Sequence, residues 1–486
     1  METFGFLSLL PPLIAIGLAL ATRQVILSLL AGIWTGFIIL AGGNPLAATF
    51  DTLDGLVAVF QDAGNTRIII FTLIVGALIA LVQRSGGVQG FVGRLLSWLE
   101  KSAGAASAKG QRKRVELLAL LTGCILFVES NISILTVGTL YRPVFDKLSI
   151  PREKLAYITD SSSAPSCILI PFNAWGAFLT GLLLAQGIEN PFGEVLKATI
   201  FNVYPMLVIG LLIFVIVSGK DIGEMKKAEM RAAATGALIR PGASPMMGGE
   251  LSRADMKPGL IPRARHMVIP IFAMVALMPV FLIMTGDKGA GWFAALQSGS
   301  GSKSVLYATS FACLIAGALY KSSGILGIRE MFDLSLRGMS GMVTLALLMV
   351  LAFALGTLCK DLGTGLYIAE AAKEFIQPTF VPAIIFIVAG FIAFSTGTSW
   401  GTFAIMIAIA VPLAQNMDTN VTLAIAAALG GGVFGDHCSP TSDTSIITSM
   451  ATANDHIDHI RTQLPYALIC GFMTIVIYLI LGVAGV

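Results

Sequence analysis

LLALLTGCILFVESNISILTVGTL (117–140) is apolar at both ends and carries Glu129, Ser130, Asn131 and Ser133 at its centre. A segment of this length either crosses a bilayer or dips into it and returns. The choice fixes the topology of everything that follows. The chain around it has 486 residues, 56% of them hydrophobic and 12% charged. Soluble domains carry about 25% charged residues, and mean hydropathy here is +0.84. The apolar character runs from end to end. That excludes a soluble enzyme with one membrane tail and indicates an all-α polytopic membrane protein. A net charge of +3 gives no reason to expect nucleic acid; the placement of charge is what informs.

Apolar runs fall at 5–21, 24–42, 66–84, 117–140, 155–187, 195–218, 266–285, 303–321, 337–358, 383–413, 421–450 and 463–485. The first starts directly after Met1, Glu2 and Thr3, without a basic region or cleavage site, so it reads as a retained helix rather than a signal peptide. The run 383–413 also has a polar centre, FSTGTSWGT (394–402). The runs 155–187 and 421–450 would each be about 45 Å long as helices, against a core of about 30 Å. They hold TDSSSAPS (159–166) and GDHCSPTSDT (435–444), which predict breaks there. Unwound backbone at membrane depth is tolerated only inside protein or along a cavity.

Basic residues decide between crossing and re-entry. If 117–140 and 383–413 are re-entrant, all but six of the 31 Lys and Arg fall on one side. If 117–140 crosses, the basic loop 141–154 faces out. The re-entrant reading therefore predicts ten full crossings, both termini outside and loop 219–265 cytoplasmic. The two halves then match. Residues 1–218 give scaffold helices over 5–84, an amphipathic stretch at 88–102, a hairpin at 117–140, a broken helix at 155–187 and a span at 195–218. Residues 266–486 repeat the series: scaffold helices over 266–358, a stretch at 363–376, a hairpin at 383–413, a broken helix at 421–450 and a span at 463–485. Five crossings per half make these inverted-topology repeats, an architecture of secondary transporters. Residues 219–265 form a linker with a short surface helix. An open channel and a membrane enzyme both fit worse. The six cysteines form no CxxC pair and predict no disulfide.

Four acids remain at membrane depth: Glu129, Asp160, Asp436 and Asp443, each in a hairpin tip or helix break. A buried carboxylate is costly and marks function by default. The oxygens nearby are hard ligands suited to Na+. Burial disfavours the charged carboxylate and a cation favours it, so Na+ and H+ compete for it. Candidate cation-binding and coupling residues are Ser130, Asn131, Asp160, Ser161, Ser395, Thr396, Thr398, Asp436, Ser439, Thr441 and Asp443. Half-helix C-termini at Gly430, Gly431, Gly432 and Gly435 would add carbonyls. Glu129 and His437 are candidate proton-relay residues, with structural partner and packing roles as the bland alternatives. Asn131, Asn173, Trp175, Thr398 and Trp400 would shape a pocket if an organic solute is carried; otherwise the tryptophans are core packing. Membrane hydroxyls commonly bond back to the preceding turn. His456 and His459 in DHIDHIR (455–461) read as an interfacial cap rather than a metal site.

GDHCSPTSDTSIITSMATANDHIDHIRTQLPYA (435–467) resembles the signature of the NhaC-type sodium/proton antiporter family. TGTSWGTFAIM (396–406), DSSSAPSCILIPFNAWGAF (160–178) and LLPPLIAIGLALATRQVILSLLAGIWTG (9–36) resemble it too. The resemblance implies an inner-membrane homodimer of the ion-transporter superfamily working as an elevator, with 88–102 and 363–376 as arms. Members of that superfamily that carry carboxylates use Ser-Asn-Thr at both hairpin tips; Ser130-Asn131-Ile132 and Ser395-Thr396-Gly397-Thr398 match only in part. Two functions stay open: Na+/H+ antiport through Asp160, Asp436 or Asp443, and Na+- or H+-coupled transport of an amino acid or carboxylate. No cofactor is expected beyond Na+ and H+ as coupling ions, and the partners are small ions, an organic solute in the second case, the bilayer and a second copy of the chain.

Overall fold

The computed structural model describes residues 4–22, 24–102, 108–245, 256–287, 299–364 and 377–485, with single positions inside 289–295 and 367–370. Every described element is a helix. Among the described residues nine helices are long and apolar enough to cross a bilayer, or ten if one bent pair forms a single span. The chain is a multi-pass membrane protein.

Short polar residues start these helices. Asn44, Asp62, Asn190, Asn420 and Asp455 each accept first-turn N–H bonds, and glycines in the left-handed region end them at Gly219, Gly236 and Gly397. Leu10–Thr22 pairs with Val25–Leu40, and Arg265–Thr285 with Gly301–Ser322. The halves then exchange partners. Ala63–Arg84 packs on Gly301–Ser322, and Val343–Asp361 packs on Val25–Leu40. A second exchange lies deeper: Ser130–Lys147 packs on Asp443–Thr452, and Ala174–Ala185 packs on Ser399–Asn416.

The first hairpin joins Ala108–Ile125 to Ser130–Lys147, and the second joins Val381–Thr396 to Ser399–Asn416. Both turns fall in the predicted polar centres. The first break does not. TDSSSAPS (159–166) lies inside one helix, Arg152–Leu169, which is followed by Ala174–Ala185 at 45°. Ser162 and Ser163 donate back to the carbonyls of Thr159 and Asp160 and so fit a helix. Pro171 drives Ile170 out of the helical region, and the chain turns there. The second break falls as predicted, between Cys438 and Asp443. Its glycines do not make it: Gly430, Gly431, Gly432 and Gly435 are helical. A Cβ at Gly431 or Gly435 would strike the Phe386 or Gly390 carbonyl, so they let Val421–Cys438 approach Val381–Thr396 closely.

Two further boundaries move. The span expected at 337–358 is Val343–Asp361, preceded by a separate helix, Ile328–Gly341, with no buried residue. Its polar Glu330, Asp333 and Arg337 alternate with apolar residues, so it lies along Ala63–Arg84, crossing where Gly338 meets Gly76. The span expected at 195–218 is preceded by a short helix, Pro191–Ile200, and begins at Val203. The amphipathic stretch at 88–102 is the helix Gly87–Ser102; most of 363–376 lies outside the described residues.

The linker helix, Gly223–Thr235, buries Met225, Ala228 and Ala232. Ion pairs join Asp221 to Lys154 (2.6 Å), Glu229 to Arg112 (2.6 Å), Arg231 to Glu153 (2.9 Å), Arg240 to Asp458 (3.0 Å) and Lys257 to Glu330 (2.7 Å). The linker is therefore fastened to the ends of the helices below it.

Candidate functional site

Four half-helices begin in the interior: Ser130–Lys147, Ala174–Ala185, Ser399–Asn416 and Asp443–Thr452. Their caps are Glu129, Asn173, Thr398 and Ser442. Each first turn presents N–H groups without helical partners.

At the first hairpin these groups are met by side chains. Glu129 Oε2 accepts the Ile132 N–H at 2.8 Å, and its Oε1 accepts the Asn131 amide at 3.0 Å. Ser130 donates weakly to the same oxygen at 3.4 Å. Asn173 caps its own helix through Gly176 and donates to the carbonyls of Phe127, Cys167 and Ile170. It thereby ties the hairpin tip to the break. Glu129 and Asn131 partner one another, the structural alternative for Glu129, and Asn173 is fully engaged.

At the second hairpin Ser439 donates to the Phe394 carbonyl (2.6 Å) and contacts Thr441 Oγ1 (3.0 Å). The Asp443 N–H reaches the Gly397 carbonyl at 3.4 Å. Thr396 bonds back to Ile392. Thr398 makes no side-chain cap bond, and Ser395 and Thr398 are half-buried. Asp436 is buried, and its Oδ1 has no hydrogen-bond partner among the described residues. Asp443, expected at depth, has an exposed side chain at the first position of its half-helix.

Asp160 joins the two halves. It is fully buried, and its Oδ2 accepts from Ser445 (2.9 Å) and from Gln463 Nε2 (2.7 Å). Among the described residues its Oδ1 has no partner, and neither have the buried hydroxyls of Thr159 and Ser166. Gln463 also donates to the His437 carbonyl at 3.0 Å. His437 meets Tyr204 through Nδ1 (3.3 Å) and leaves Nε2 without a partner. Ser161 lines a narrow void with Tyr157, Tyr204, His437, Gln463 and Tyr466. His459 is buried with Nε2 3.8 Å from Asp160 Oδ2.

Trp175 and Trp400 come together, ring centres 5.0 Å apart, with Phe403 5.8 Å from Trp175. The Trp175 Nε1–H is buried without a partner among the described residues. Among the described residues no group of His, Cys, Asp and Glu could hold a resident metal ion. The arrangement instead offers two buried carboxylates, Asp160 and Asp436, each with one unpartnered oxygen. Each can take a proton or a hard cation.

Sequence reasoning missed Gln463, Tyr204 and the inward role of His459. Gln463 carried a signal: it is an amide in an apolar run, one helical turn after His459. Tyr204 carried none, since a Tyr at the start of a span reads as an interfacial residue.

An uncharacterised protein of Haemophilus influenzae is 31% identical over 98% of this chain and 90% of its own length. The malate-2H+/Na+-lactate antiporter of Bacillus subtilis is 28% identical over 22% of this chain and 23% of its own. The YdaH transporter of Alcanivorax borkumensis has the same fold, with a TM-score of 0.58, 14% identity and coverage of 89% of this chain and 88% of that one. Residues 186–483 match the Na+/H+ antiporter family, a family of transporters and not of enzymes, and the chain belongs to it.

Proposed function

We propose that this secondary transporter exchanges Na+ for H+, with the two ions divided between two buried carboxylates. Asp436, next to the second hairpin tip, takes Na+ with oxygens of Thr398, Ser399, Ser439 and Thr441. Asp160, held by Ser445 and Gln463, takes the proton. The observation that carries this reading is the pair of buried oxygens, Asp436 Oδ1 and Asp160 Oδ1, that have no partner among the described residues. An unpaired buried carboxylate costs several kcal/mol, on the order of 3–5, and neutralisation by Na+ or H+ removes that cost.

The halves are inverted-topology repeats, and the reciprocal packing of each half's hairpin limb on the other half's broken helix supports this. The hairpins and broken helices move together as an elevator against the remaining helices. The protein is an inner-membrane homodimer with loop 219–265 in the cytoplasm and both termini outside.

A second reading is coupled transport of a small organic solute, as the name of the lactate antiporter says of that relative. The unpartnered indole N–H of Trp175 beside Trp400 favours it. Proteoliposomes with a lumenal pH dye and an imposed Na+ gradient test the two. Proton movement without organic solute, lost in Asp436→Asn and Asp160→Asn, is expected for plain antiport. No movement until an amino acid or carboxylate is added would overturn it for the organic carrier.

A further inference from the structure

From Asp160 a line of polar groups runs to the linker side of the molecule. His459 Nε2 faces Gln463 Oε1 at 3.2 Å and Asp160 Oδ2 at 3.8 Å. His459 Nδ1 meets Ser449 Oγ at 3.0 Å, and Ser449 Oγ meets His456 Nδ1 at 3.0 Å. His456 Nε2 meets the Pro440 carbonyl at 2.7 Å. His459 is fully buried, whereas His456 is partly exposed at the start of the last helix. Ser449 is therefore a hydroxyl bridge between an imidazole near the surface and one beside the buried acid.

Proton counting makes this more than a packing contact. Gln463 must present its NH2 group to Asp160 and the His437 carbonyl, because both accept. Its Oε1 then faces His459, so His459 carries its hydrogen on Nε2 when neutral. Likewise the Pro440 carbonyl demands a hydrogen on His456 Nε2. Both Nδ1 atoms are then acceptors, and both point at Ser449, which also faces the Ser445 carbonyl at 2.8 Å. Three acceptors surround one hydroxyl hydrogen. A proton added to either imidazole supplies a missing donor, so the neutral network has room for one.

We propose that His456, Ser449 and His459 form the proton relay between the linker-side surface and Asp160. This rests on the reading of Asp160 as the proton-carrying group. His456, partly exposed, takes a proton from water on Nδ1, the nitrogen that its Nε2–H bond to Pro440 leaves bare, and becomes an imidazolium. It passes its Nδ1 hydrogen to Ser449 Oγ as Ser449 passes its own hydrogen to His459 Nδ1. His459 turns its Nε2 hydrogen from Gln463 Oε1 toward Asp160 Oδ2, closing the 3.8 Å between them, and passes it on. One proton enters and one arrives; His456 and Ser449 end as they began, and His459 ends as the other neutral tautomer. Gln463 is a positioning residue, holding the carboxylate and the ring in register.

The remaining charged groups around the relay are engaged or lie aside. Asp458 pairs with Arg240, Glu153 with Arg231, and Arg152 with Asp146. Burial pushes the Asp455 carboxyl up, but the N–H groups of Ser244, Asp458 and Ile457 and the charge of Arg240 hold it below its ordinary range, so it stays ionised. Asp436 and His437 sit on Val421–Cys438, and Asp443 is exposed.

The test compares His456→Gln and Ser449→Ala with the full-length wild type in proteoliposomes. Two rates are read: Na+-driven proton movement by pH dye, and exchange of labelled Na+ at equal Na+ on both sides, which needs no proton. The relay predicts proton movement slowed about tenfold or more in both variants, with Na+/Na+ exchange unchanged. Added imidazole buffer should restore the His456→Gln rate, which a structural defect would not allow. Unchanged proton movement in both variants, or both rates falling together without rescue, overturns the relay. A wild type that moves no protons removes the antiport reading and the relay together.

Discussion

The two hairpin tips are built alike and finished differently. At the first, Glu129 accepts the Ile132 N–H of its own half-helix and the Asn131 side-chain amide, and Asn173, which caps its own helix, ties tip to break by donating to Phe127 on one side and to Cys167 and Ile170 on the other. At the second, Thr398 leaves its half-helix without a side-chain cap, and Asp436 keeps an oxygen without a partner. Side-chain capping stabilises a helix start by roughly 1 kcal/mol, so a tip left without it has been held back from its most stable form. The first tip reads as a fastening; at the second, the Thr398 hydroxyl and an Asp436 oxygen stay free to coordinate a cation. An acid at a hairpin tip is thus not by itself a binding group; what matters is whether its oxygens are already spent.

The largest effect should come from neutralising an unspent acid. Asp436→Asn is expected to abolish Na+-driven proton movement while the protein remains folded, read by pH dye and size-exclusion profile. Glu129→Gln at the other tip is expected to keep transport, because an amide oxygen still accepts the Ile132 N–H. Retention in both, or loss in both, would erase the distinction between the tips. Next in size is Gly397→Ala. Gly397 has φ +69°, and a Cβ there would strike the Thr441 carbonyl. Strain of about 1–2 kcal/mol and a separated tip and break should follow. Na+-induced thermal stabilisation should shrink more than the melting temperature itself.

Much of this was legible in the sequence, and the failures share a cause. Polar residues amid apolar runs located both hairpin turns and the second break, because at membrane depth such residues need a reason. The serines of 159–166 misled for the first break. A hydroxyl satisfied by its own helix looks the same in sequence as one at a break, and only Pro171 carried the geometric constraint. The glycines at 430–435 misled in the same way, since a residue that permits a turn also permits a close helix crossing. Asp443 starts its half-helix at the break with its side chain open, because position along a helix does not say which way a side chain faces. The link from Asp160 to Ser445 and Gln463 spans about 300 positions of sequence, and no local pattern predicts it.

The smallest effect is also the sharpest test of what a finished tip is worth. Thr398→Asp gives the second tip a carboxylate cap like that of the first. An acidic cap accepts first-turn N–H bonds and opposes the positive end of the helix dipole, together worth about 1 kcal/mol. If the Thr398 hydroxyl is kept free for the ion, the variant should melt slightly higher than wild type without Na+ and gain less from adding it. Transport should fall, because the new carboxylate stands beside Asp436 and binds Na+ in competition with it. A variant with the wild-type Na+ response would show that the second tip does not shape the site, leaving Asp436 and the break at 439–442 to carry it.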